Sequence, residues 1–200
     1  VKTSNSISEL YDSRDEMAVI TRNVIWNNDF LNTYTDKEKD ILGKYSSSLF
    51  TLNTFYTANK TIVGRSIKKD TEKFLLNYWN NVVEHMAQWQ ELQHREITKV
   101  DLRESYIATQ SIVIQALGRI GNYYISHQDE MKDGLRGLER INWSRSAKQW
   151  YMRAVGKNGR IITSKKAALL ISNVIKKELG IALSAEEINA EEALKKTIKD

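Results

Sequence analysis

The residues of this chain best suited to chemistry lie between Arg136 and Lys177, where eleven lysines and arginines stand against one acid, Glu139. That segment carries +10, whereas the whole chain of 200 residues carries +5, so everything else sums to −5. Cations gathered this way neutralise phosphates and release their counterions, and the aromatic residues among them, Trp143, Trp150 and Tyr151, offer faces that stack or anchor. The expected phosphate ligands are Arg145, Lys148, Arg153, Arg160, Lys165 and Lys166, with Trp143 or Trp150 as a wedge or stacking residue. Two ordinary readings compete with this one. The cations can form a solvated face or pair with acidic helices, and tryptophans at helical spacing can belong to the core.

Other reactive groups are sparse. His85, His94 and His127 are scattered, with no pair at metal-ligand spacing. Asp12, Asp15 and Glu16 form an acidic cluster, but Arg14 sits among them, as on a solvated or salt-bridged helix face. The chain has no cysteine, which removes disulfides, thiolate metal sites and a cysteine nucleophile, and fits a reducing cytoplasm. Phosphate-binding glycine loops, nucleophile elbows and dinucleotide fingerprints are missing from the sequence. Gly118-Arg119-Ile120-Gly121 falls inside a helical pattern, where its glycines serve close packing. The residues therefore point to a binding protein and not an enzyme, with no cofactor and no metal.

The elements that must carry the basic residues are helices. Proline is absent, which removes the strongest helix breaker, and the fold class expected is all-α: a multi-helix bundle with a basic, glycine-punctuated C-terminal helical region. Leu75, Trp79, Val82, Met86 and Trp89 form the stripe of one helix over 71–93, capped by Asp70 or Thr71. Further helices are expected over 7–24, 48–67 and 102–126, with a shorter one over 35–45 capped by Thr35 with Glu38 in capping-box spacing, making five before residue 128. Beyond it, Gly134, Gly137, Gly156 and Gly159 break the pattern until a helix over 164–179, ended by Gly180, and a terminal helix opened by Ser184 and Glu187. The boundaries drawn are a bundle over 1–128 and a basic helical region over 129–200 packed on it, one domain overall. No apolar run approaches the roughly 20 residues of a membrane span. The opening Val1-Lys2-Thr3-Ser4 reads as the start of a piece of a longer chain.

Several blocks, in consistent order along nearly the whole chain, carry a resemblance. They are Leu10-Tyr11-Asp12-Ser13-Arg14-Asp15-Glu16-Met17-Ala18, Leu49-Phe50-Thr51-Leu52, Asp101-Leu102-Arg103-Glu104-Ser105-Tyr106-Ile107, Ala116-Leu117-Gly118-Arg119, Ile141-Asn142-Trp143-Ser144-Arg145-Ser146 and Asn173-Val174-Ile175-Lys176-Lys177-Glu178-Leu179-Gly180. Together they resemble the C-terminal part of the DndB family of bacterial DNA sulfur modification. The resemblance implies a DNA-binding negative regulator of the modification genes, in a system that replaces a non-bridging phosphate oxygen with sulfur. Its partners would be promoter duplex DNA and other modification proteins. An N-terminal Asp-Gly-Gln-His-Arg motif of that family is absent here; Gln93-His94-Arg95 echoes its end only by coincidence. The alternatives are a protein-interaction scaffold of the modification machinery, or a non-catalytic support for that missing motif.

Overall fold

A computed structural model gives the fold and describes residues 15–200. The expected start of the first helix, before Asp15, and the residues Asp12 and Arg14 lie outside the described residues. Ten α-helices are found among the described residues: α1 (Glu16–Trp26), α2 (Asp29–Tyr34), α3 (Leu52–Val63), α4 (Thr71–His85), α5 (Ala87–Gln93), α6 (Lys99–Ser105), α7 (Ser111–Tyr124), α8 (Gln128–Leu135), α9 (Lys165–Leu179) and α10 (Ala185–Lys199). The protein is mostly α, as its proline-free sequence predicts. None of these helices is long and apolar enough to cross a membrane.

The fold is organised around α7, which lies between α3 and α9. Gly118 and Gly121 make the α3 crossing tight. A Cβ on Gly118 would stand 3.1 Å from the Ala58 carbonyl oxygen, and one on Gly121 would stand 2.7 Å from Ile62 Cγ1. Side-chain amides lace the same crossing, Gln115 donating to the Thr54 carbonyl and Asn122 to that of Ile62. α1 packs on both α3 and α4 and closes the bundle. There Trp79 Nε1 donates to Asn59 Oδ1 at 2.8 Å and Asn59 Nδ2 donates to Thr21 Oγ1 at 3.0 Å, a buried relay through three helices. A continuous apolar core runs from Met17 to Ile181. A small second cluster, Leu169, Leu170 and Leu194, holds α10.

Four expectations are corrected. Residues 35–45 are not a helix: Thr35–Asp36 (β1) pairs in parallel with Phe50–Thr51 (β2), and Asp36 Oδ1 accepts from the amides of Glu38 and Lys39, closing a local turn. Ile41 is 86% and Tyr45 83% exposed, so the segment has no apolar face to bury as a helix. The stripe over 71–93 breaks at the buried Met86 (φ −84, ψ 101), separating α4 from α5. The helix expected over 102–126 is likewise two, α6 and α7, so seven helices precede residue 128 among the described residues. Finally, neither Asp70 nor Thr71 caps α4 as expected; Asp70 makes no side-chain cap and the Thr71 hydroxyl accepts from the Lys68 amide.

Candidate nucleic-acid interface

The basic segment folds as two kinds of surface. Between α8 and α9 the chain forms a compact loop in which Val155 bridges both Tyr151 and Ile161. Its tip is a tight turn. The Gly156 amide donates to the Arg160 carbonyl, the Gly159 amide donates to the Gly156 carbonyl, and the Arg160 amide donates to Asn158 Oδ1. Gly159 takes φ +76 there, a conformation that a residue with a Cβ rarely adopts. Lys157 and Arg160 project from this tip, both exposed. Four residues on, Ser164 caps α9 by accepting from the Ala167 amide at 3.1 Å, which puts Lys165 and Lys166, also exposed, in the first helical turn. Five residues of chain separate Arg160 from Lys165, so the two groups lie within about 18 Å of each other. Cations at a helix N-terminus oppose the helix dipole, and an anion placed there relieves that repulsion.

Most of the remaining cations are already partnered, whereas Lys148 and Lys177 are exposed with no ion pair among the described residues. Arg153 chelates Glu191 through both terminal nitrogens and also donates to the carbonyls of Leu170 and Gln149. Lys176 Nζ lies 2.9 Å from Glu187 Oε1, and Arg119 of α7 reaches Glu187 Oε2 at 3.4 Å. Arg140 pairs with Glu178 and Arg136 with Asp133. Arg145 is half-buried beside α6, its Nη2 on the Arg103 carbonyl at 3.4 Å. Glu187 is buried to 1% exposure. Burial alone would raise its carboxyl pKa, but hydrogen bonds from the Ser184 amide and Lys176 outweigh this and hold it below the ordinary glutamate range. Glu191 is lowered too: burial opposes ionisation, and the hydrogen bonds from Arg153 and Asn173 overcome it.

Of the six expected phosphate ligands, then, Lys148, Arg160, Lys165 and Lys166 are exposed with no ion pair among the described residues, whereas Arg153 and Arg145 are held internally. Lys157 shares the free surface, although sequence reasoning counted it without singling it out; the Asn158-Gly159 turn beside it was the available signal. Trp143 and Trp150 are in the core, 1% and 0% exposed and stacked at 5.3 Å between ring centroids. Neither has a face to offer a base; Tyr151, 44% exposed, is the aromatic left at the surface. The histidines are dispersed, His85 against Glu139 and His127 stacked on Tyr123.

A family model described as DndB, DNA-sulfur modification-associated, matches residues 1–182 of the chain. No curated protein and no solved structure matches it.

Proposed function

The chain belongs to the DndB, DNA-sulfur modification-associated family, and we propose that within DNA sulfur modification it is a non-catalytic DNA-binding protein that regulates the modification genes in the cytoplasm. Its interface is the free basic surface of Lys148, Lys157, Arg160, Lys165 and Lys166, which takes the phosphates of duplex DNA. The observation that carries this reading is the division of the cations: acids satisfy Arg136, Arg140, Arg153 and Lys176, while these five, at a turn, a loop and a helix N-terminus, are exposed and have no ion pair among the described residues. Phosphate contacts of this kind supply affinity and register, and base-edge contacts supply sequence choice. Replacing Lys165 and Lys166 together with Ala removes two phosphate contacts. The slope of log affinity against log salt should then flatten by about two units, with specific and unrelated duplexes weakened alike. Unchanged affinity and slope in a variant that circular dichroism shows to be folded would remove the interface from this surface.

A second reading has one observation in its favour. Trp26 closes α1 at 70% exposure, a large apolar ring suited to docking on another protein of the modification machinery. Partners retained through purification in high salt would favour that scaffold role.

A further inference from the structure

We infer that the cleft at the N-terminus of α7 is a binding site for a phosphate-class oxyanion, carried by inorganic phosphate or by a nucleoside monophosphate. The cleft, about 460 Å³, lies between the 40–44 segment and the start of α7, and Thr51, Thr54, Arg103, Thr109, Gln110 and Ser111 are on its wall. Its volume is that of a small-molecule pocket.

Three features converge there. First, α7 is 14 residues long and opens without a side-chain cap. The amides of Ser111 and Ile112 find no acceptor among the described residues, so two donors stand at the positive end of the helix dipole. Second, Thr109 is only 6% exposed, yet its hydroxyl has no hydrogen-bond partner among the described residues. It is not one of the side-chain oxygens sealed from solvent, and Thr109 lines the cleft. A buried hydroxyl without a partner costs free energy until a ligand engages it. Third, Arg103 brings a positive charge to the same wall. Its terminal nitrogens donate to the carbonyls of Lys44, Ser46 and Ser48, which fixes the guanidinium and the 44–48 segment together and leaves Nε without an acceptor among the described residues. Burial pushes the Arg103 pKa down, a shift that an adjacent anion opposes. Paired amides, a hydroxyl and a guanidinium match the acceptor-only oxygens of a phosphate group. Asp40 on the rim limits the net charge the site tolerates and favours a small monoester over a polyanion.

Two substitutions isolate the site without dismantling it. Thr109→Val deletes the hydroxyl at constant shape. Ser111→Pro deletes one amide donor at the first helical position, where proline is accepted, and the preceding Gln110 (φ −69, ψ 140) already has the extended backbone that proline requires. The whole chain is titrated with inorganic phosphate and, separately, with deoxyadenosine monophosphate, and followed by amide chemical shifts. Saturable binding is expected, with the Ser111 and Ile112 amides moving most and each variant weakening it about tenfold or more. Tighter binding of the nucleotide identifies a base-bearing ligand, whereas equal binding identifies the phosphate group alone. No saturable binding of either probe, affinities unchanged in both variants, or shifts confined to Lys157–Lys166 would overturn the inference. It stands apart from the DNA interface, and its failure would leave that proposal intact.

Discussion

Replacing Trp79 with Ala is expected to cost about 3 to 5 kcal/mol of folding stability in chemical denaturation, the range for a large aromatic removed from a core. The ring is 0% exposed and meets Phe55 and Tyr78 edge-on, at 5.1 and 5.2 Å between centroids. Its Nε1 hydrogen also satisfies Asn59 Oδ1, and Asn59 is itself buried at 1% exposure. Truncation therefore leaves a cavity and an orphaned amide oxygen together, which places the effect toward the upper end. Domains of this size are stable by only about 5 to 15 kcal/mol, so the variant should be close to unfolding at moderate temperature. A loss of a few tenths would mean that α1, α3 and α4 do not meet at this residue.

Glu187→Ala is the second large effect, again about 3 to 5 kcal/mol, because it strips the counter-charge from the mostly buried Lys176 and from Arg119. The wild-type protein should also lose stability in acid, with a definite sign. Glu187 and Glu191 have folded-state pKa values below the ordinary range, so the unfolded chain binds more protons as pH drops through that range. Their contribution is complete above the unfolded glutamate pKa and is lost as pH falls through the lowered folded values. Denaturation at neutral and acidic pH should therefore show a steep loss in the wild type and a shallower one in Glu187→Ala, where only Glu191 remains. Equal pH dependence in both proteins would contradict the assignment.

The sequence disclosed most where structure is local. Ser164 and Gly180 bracket α9, and Ser184 and Glu187 form the capping box of α10, because caps are made within a few residues of chain. The close packing at Gly118 and Gly121 was legible for a similar reason: small residues one turn apart on an apolar face have few other uses. The interruptions were not legible, because distant residues create them. Between α6 and α7 the chain leaves the helix to pair Tyr106 with Ser144, while Ile107 donates to the Trp143 carbonyl. At Met86 the Gln90 side chain satisfies the Val83 carbonyl and makes a break without glycine or proline tolerable. The pairing of the basic segment was hidden in the same way. The acids that neutralise it, Asp133, Glu178, Glu187 and Glu191, lie just beyond its two ends, so a count between Arg136 and Lys177 found only Glu139. The acidic start of the last helix was visible in the sequence, but its destination against Lys176 and Arg153 was not.

The central claim is that five exposed cations take up DNA phosphates, and salt-dependent affinity tests it most directly. The protein should be titrated onto promoter duplex of the modification genes and onto an unrelated duplex of equal length, over a series of salt concentrations. With Lys148, Lys157, Arg160, Lys165 and Lys166 engaged, the logarithm of affinity should fall linearly with the logarithm of salt, at a slope of about −4 to −5. No binding to either duplex at low salt, or binding indifferent to salt, would contradict the account.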